Sequence, residues 1–204
     1  MSVYHMATKF IKKILTNIKS KSFRSGACCG INVRFDENAR CTNETGKKDS
    51  IIIGDNCMIR CPVIALGNGK IQICNNTYIG CKSRIGAINN IVIGNDVIIS
   101  SQVHIIDNNN HPTEPARRLE MTQSADFFGE LWSWTKSESA AIHIQDNVWI
   151  GERCTILKGV TIGKGSIIGA SSVVTHNIPD YVIAAGNPAR VVKQLSSEEG
   201  NIHE

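Results

Sequence analysis

An all-β chain wound as a parallel β-helix is the fold this sequence predicts, on three observations. Aliphatic residues recur every six positions over most of the chain, and a small or β-branched residue follows each of them four positions later. Aromatic side chains, the usual filling of a thicker core, make up only 5% of the 204 residues. A period of six fits neither a helix, whose faces repeat at about 3.6, nor a long strand, whose faces repeat at about two. It fits short strands joined by tight turns, three to a triangular coil of about eighteen residues. Successive coils then stack at about 4.8 Å, the ordinary spacing between strands.

The elements justify this in order. Residues 7–21 read ATKFIKKILTNIKSK, with Phe10, Ile11, Ile14, Leu15 and Ile18 at helical spacing opposite lysines. Such an amphipathic helix can lie on an anionic membrane surface as a weak peripheral contact. Packing against the open end of a coil stack, over its unpaired backbone, is the expected role here, because five apolar residues anchor poorly. Residues 28–106 carry the first coils. Ile31-Asn32-Val33, Ile51-Ile52-Ile53, Ile71-Gln72-Ile73 and Ile91-Val92-Ile93 align at a step of twenty, with extra residues near Gly67-Asn68-Gly69 and Asn89-Asn90. Residues 142–184 continue in a stricter register, as Ile144, Ile150, Ile156, Ile162, Ile168 and Val174. The intervening small positions include Cys57, Val63, Thr77, Ser83, Val97, Val103, Val148, Cys154, Val160, Ser166 and Ser172. Glycine often follows the aliphatic directly, as at Gly54, Gly80, Gly94 and Gly151, where it is expected to permit turn conformations closed to other residues. Residues 185–204 form a polar C-terminal segment, and the whole reads as a single domain.

Composition narrows the function classes. A formal net charge of +4 suits an anionic small ligand and is too weak to argue for nucleic acid. Eight cysteines occur without a CxxC pair, and no His/Cys cluster has the spacing of a zinc site. No apolar run ending in small residues follows Met1, so reduced, buried cysteines and a cytoplasmic location are expected.

The period vanishes over residues 107–141, DNNNHPTEPARRLEMTQSADFFGELWSWTKSESAA. A long break in a regular scaffold marks a loop built for function. His111 lies in it, after an Asn-rich turn and before Pro112, which restricts its backbone. An imidazole there suits general-base work. Its second nitrogen needs an acceptor: Asp107 is the candidate, with Glu114 or a backbone carbonyl as alternatives. His104 and His143 sit at or beside repeat positions and are expected to be structural or exposed. Phe127, Phe128, Trp132 and Trp134 either wall a binding site for a sugar ring or a pantetheine arm, or form a small core that holds the loop. Arg117, Arg118 and Lys136 either meet an anionic acceptor or are solvated.

The segment from Ile144 to Lys193, with VWIG, GVTIG, IIGASSVV and IPDYVIAAGNPA followed by a basic residue, resembles the C-terminal half of the hexapeptide-repeat acyltransferases. It is most similar to their maltose, galactoside and polysaccharide O-acetyltransferase branch. The resemblance spans about Ile51 to Lys193 and is loose inside the loop. It implies a left-handed coil, a homotrimer, acetyl-CoA held in a groove between subunits, and a loop histidine, matching His111, as general base. It also implies that Trp149, Gly151, Ala170, Thr175 and His176 line the cofactor arm, and that Arg190 and Lys193 meet the adenosine phosphates. Glu152 departs from the serine found in galactoside acetyltransferases, and its carboxylate is expected to turn away from a polyanionic cofactor.

The expected activity is therefore acetyl transfer from acetyl-CoA to a saccharide hydroxyl, with Phe128, Trp132 and Trp134 against the acceptor. N-acetylation of an amino sugar nucleotide is the nearest alternative, because the same base and groove serve it. A zinc hydratase similar to the γ-class carbonic anhydrases would need a converging histidine set, including a pair four residues apart, which His104, His111 and His143 do not supply. A non-catalytic β-helix module would leave the His111 loop without a purpose.

Overall fold

The structure, a computed structural model, describes residues 20–127 and 129–196. The expected helix at residues 7–21 lies outside the described residues except for its last two, and so does Phe128. Residues 20–26 are helical and close one end of the stack. Phe23 is buried there and stacks on Phe35 with ring centroids 4.3 Å apart, while Arg24 donates to the carbonyl of Val33.

Short parallel strands form three faces. The first carries Cys28–Cys29, Ile51–Ile53, Lys70–Ile73, Asn90–Ile93, Ile142–Ile144 and Thr161–Ile162. The second carries Arg34–Phe35, Met58–Ile59, Tyr78–Ile79, Ile98–Ile99, Trp149–Ile150, Ile167–Ile168, Val182–Gly186 and Ala189–Gln194. The third carries Arg40–Asn43, Pro62–Ala65, Arg84–Ala87, His104–Ile106, Thr155–Ile156 and Val173–Val174. All ladders are parallel except the last, where Ala189–Gln194 folds back antiparallel on Val182–Gly186. The aliphatic positions stack in register, as in Ile53, Ile73, Ile93, Ile144 and Ile162, and every one of these is buried. The small residues four positions on are buried too, from Cys57 and Thr77 to Ser166 and Ser172. Each coil thus fills its thin core with one branched side chain and one compact one per corner.

Two details correct the sequence reading. The first coil pairs Cys28–Cys29 with Ile52–Ile53, so Ile31-Asn32-Val33 is not the partner of Ile51-Ile52-Ile53. Ile31 sits on a corner, 73% exposed, and its N–H donates to Asp55 Oδ1 across a separation of twenty-four residues. This first coil has a longer corner of its own between Asn43 and Ile51, where Lys48–Ser50 makes a single 3-10 turn. The recurring glycines also act differently from expectation. One row of left-handed corner positions is filled by Asn32, Asn56, Asn76, Asp96 and Asn147, residue types that tolerate positive φ, and a second row by Lys82, Gln102, Arg153 and Ser171. Gly54 is required by close approach of the next coil instead: a Cβ there would stand 2.4 Å from Asn75 Oδ1. Asparagine side chains tie the same corners together, Asn32 to Asn56 at 3.0 Å and Asn76 to Asp96 at 2.9 Å.

All eight cysteines are free. Burial pushes the Cys41 thiol up to about 11 and the Cys61 thiol up to about 12, so both stay protonated and act as small hydrophobes.

The coils stop at Ile106 and resume at Ile142, yet Ile91 pairs with Ile142 as though nothing lay between. The intervening residues are more ordered than a bare loop. They hold a helix, Pro115–Gln123, with proline at its start, and two 3-10 turns, Glu130–Trp132 and Trp134–Lys136. A neck closes the excursion, with Asn108 bridging Ser139 and the Ala140 N–H donating to the Asp107 carbonyl at 2.9 Å.

Candidate active site

The third face delivers the chain to the site. After His104–Ile106 the backbone reverses: Asn110 takes a φ of 61°, and the His111 N–H donates to the Asn109 carbonyl at 2.7 Å. Pro112 is buried and His111 is exposed, so the turn is anchored by one residue while it presents the other. The imidazole meets Trp132 edge to face, with centroids 5.6 Å apart at 83°. Trp132 is itself fixed, donating from Nε1 to the Met121 carbonyl and lying 5.3 Å from the Phe127 ring. A groove of about 290 Å³ opens beside this turn, lined by His104, Ile106, Asn108, Asn109, Asn110 and Leu157, with Thr155 and Ile156 in its floor.

The aromatic residues divide their duties. Trp132 touches His111, whereas Trp134 lies on the third face, where a Cβ on Gly86 would stand 2.8 Å from its ring. The Arg84 guanidinium stacks on Trp134 at 5.0 Å. Trp134 is therefore a loop anchor, not part of the wall beside His111. Among the cations considered from sequence, Arg117 pairs with Glu114, Lys136 pairs with Glu130, and Arg118 donates to the carbonyls of Pro112 and Thr113. All three are engaged within the loop.

Asp107, the sequence candidate for the acceptor, makes no hydrogen bond to His111. It is fully buried, and its carboxylate accepts from the Ile88 N–H at 3.0 Å, the Asn89 N–H at 2.8 Å and Asn108 Nδ2 at 3.2 Å. These bonds satisfy backbone donors at the corner beneath the loop and leave the carboxylate engaged with Ile88, Asn89 and Asn108. The residue that reaches the His111 turn is Glu138, absent from the sequence reading. It accepts from Asn109 Nδ2 and Thr113 Oγ1, and these bonds hold its carboxyl down to about 2. A lone glutamate in a polar run carries no sequence signal of this kind.

The remaining candidates fall into two groups. Trp149 stands on the second face, 48% exposed, in register between Ile98 and Ile167. Gly151 follows at the corner, where a Cβ would stand 2.7 Å from the backbone nitrogen of Ala170. Thr175 and His176 lie at the next corner, joined by a 2.7 Å hydrogen bond between Oγ1 and Nδ1. A groove of about 260 Å³ there is lined by His176, Asn177, Ile178, Ala189, Arg190 and Val191, so His176 and Arg190 share one cleft. Lys193 is exposed on the terminal hairpin opposite Ile183 and does not line that cleft. Glu152 is exposed. His104 and His143 stand on different faces, and among the described residues no group of three or more His, Cys, Asp or Glu could hold a metal ion.

Comparison with known proteins identifies the family. The family described as bacterial transferase hexapeptide (six repeats) matches residues 141–176. The galactoside O-acetyltransferase of Escherichia coli (strain K12) is 31% identical over 176 residues, covering 83% of this chain and 79% of that protein. The chain belongs to the hexapeptide-repeat acyltransferases. Its coil is accordingly the left-handed parallel β-helix that the resemblance implied. A galactoside O-acetyltransferase of Lactococcus lactis subsp. lactis (strain IL1403) is 32% identical over 72% of this chain, which spans 64% of that protein's length. Among solved structures, an N-acyltransferase from Bacillus cereus in complex with dTDP and 3-hydroxybutyryl-CoA shares the fold. It superposes with a TM-score of 0.66 at 22% identity, covering 88% of this chain and 87% of that one.

Proposed function

We propose that this hexapeptide-repeat protein transfers an acetyl group from acetyl-CoA to a saccharide hydroxyl, such as one on a surface polysaccharide or its precursor, with His111 as general base. The observation that carries the reading is an exposed imidazole on a tightly held turn, flanked by Trp132, directly after the Asn108–Asn110 segment that lines a groove. In this reading the imidazole takes the proton of the acceptor hydroxyl as its oxygen attacks the thioester carbonyl. The tetrahedral intermediate collapses with cleavage of the C–S bond, and the imidazolium returns its proton to the departing CoA sulfur. No acyl-enzyme is needed when both substrates bind together. Trp132 offers a flat apolar surface to a sugar ring.

The cleft of His176 and Arg190 fits the phosphate end of CoA, because a guanidinium pairs well with phosphate oxygens. Truncating Arg190 to alanine should weaken acetyl-CoA binding about tenfold, the worth of one charge-assisted contact, with kcat little changed. Calorimetric titration with CoA checks this. Unaltered affinity would place the phosphates elsewhere.

A homotrimer belongs to the same reading. Along the second face Met58, Tyr78, Ile98, Trp149, Ile167 and Ile183 stack in register, with Ile98 52% exposed. A ladder of apolar side chains this long favours burial against another copy. Ile98→Glu should shift the sedimentation coefficient toward that of a monomer, and a wild-type coefficient in the variant would move the interface to another face. A location where acetyl-CoA is made, the cytoplasm, goes with this activity.

Thiol release from acetyl-CoA tests the whole reading against a panel of sugars, oligosaccharides and amino sugar nucleotides. The sequence relatives named as O-acetyltransferases favour a hydroxyl acceptor. Release only with an amino sugar nucleotide would turn the reading to N-acetylation.

A further inference from the structure

We propose that Glu138 is a positioning residue for His111, acting on the turn that carries the imidazole and not on the imidazole itself. The proposal rests on the reading of His111 as the base. Glu138 comes from the far end of the loop, yet its carboxylate closes over the His111 turn. Oε2 accepts from Asn109 Nδ2 at 2.6 Å and Oε1 accepts from Thr113 Oγ1 at 2.7 Å. Its backbone carbonyl also accepts from the Asn109 N–H at 3.1 Å. Asn109 and Thr113 stand two residues before and two residues after His111. One carboxylate therefore fixes both feet of the turn, one oxygen to each.

The other contacts show why this matters. The His111 N–H donates to the Asn109 carbonyl, so a shift of Asn109 carries the imidazole with it. Arg118 holds the opposite edge through the carbonyls of Pro112 and Thr113. The imidazole, being exposed, has Trp132 as its ring contact and would otherwise be free to swing. A reacting group displaced by about 1 Å can cost about 100-fold in rate. Hydrogen bonds to an ionised acceptor are roughly twice as strong as neutral ones, and this carboxylate makes two. Its folded value, about 2, lies below the ordinary 4.5. The clamp is therefore complete above the ordinary carboxylate range, is lost only as pH falls toward 2, and stays intact where an imidazole titrates.

Histidine ring resonances of carbon-13-labelled protein give a readout that needs no acceptor. The His111 signal, identified by its absence in His111→Ala, should be displaced by the ring current of Trp132, whose centroid is 5.6 Å away. Glu138→Ala should return it most of the way to the value of an exposed histidine, and Thr113→Val, nearly isosteric, should move it part of the way. The Trp134 indole signal should hold in both, because Trp134 is anchored on the third face. A His111 signal unmoved in both variants would overturn the proposal. Collapse of the Trp134 signal along with it would do the same, by showing that Glu138 merely holds the loop together. In thiol release, kcat should fall about tenfold with KM for acetyl-CoA unchanged. Should His111→Ala keep full turnover, the base assignment fails while the ring-current result stands, so the two failures are distinguishable.

Discussion

Replacing His111 with alanine should lower kcat for acetyl transfer by about 100- to 10,000-fold, the usual contribution of a positioned general base. Acetyl-CoA affinity should stay near that of the wild type, because the cleft of His176 and Arg190 lies two coils further along the stack. The fold should stay intact as well, since the imidazole is exposed and the buried anchor of the turn is Pro112. Steady-state thiol release and CoA titration on the same preparation separate the two quantities. Wild-type turnover would remove His111 from the chemistry, and loss of CoA binding in parallel would make it a binding residue.

Asp107→Ala should instead strike stability. Its fully buried carboxylate satisfies the N–H groups of Ile88 and Asn89, so its removal leaves two part-buried backbone donors without their partner. A buried donor left without a partner costs about 1–3 kcal/mol, and bonds to a charged acceptor lie toward the upper end. A total of about 3 kcal/mol corresponds to roughly 6–12 °C in Tm for a chain of this size. The loss should also loosen the neck, where Ala140 bonds to the Asp107 carbonyl. Thermal unfolding followed by circular dichroism decides the matter. A variant with unchanged Tm and a collapsed kcat would restore Asp107 as the partner of His111.

The fold was legible because it is written as a period. A branched residue every sixth position, with a small one between, is what a thin triangular core demands. The same rule misled at Ile31, since an isoleucine on an exposed corner looks identical in sequence to one pointing inward. The recurring glycines were legible as a pattern but not as a cause, because close approach of the next coil leaves no local mark. His111 stood out through its neighbours, Pro112 and the asparagines. Its support did not. Asp107 was chosen for nearness along the chain, which does not say where a carboxylate points. Glu138 reaches Asn109 only because the neck of the loop brings them together. Trp132 and Trp134, two residues apart, read as one aromatic cluster, but consecutive 3-10 turns send one to His111 and the other to Gly86.

The pairing of Ile91 with Ile142 has a further consequence. Because each coil touches only the ones above and below it, the ladder does not register what has been inserted between two of them. The excursion from Asp107 to Ala141 behaves as a cartridge: it carries its own helix, its own anchor in Trp134 and its own latch in Glu138, and it docks through a narrow neck. A different cartridge with the same neck would leave the barrel of coils unchanged. New acceptor preferences could then be acquired by exchanging this one segment, without renegotiating the core.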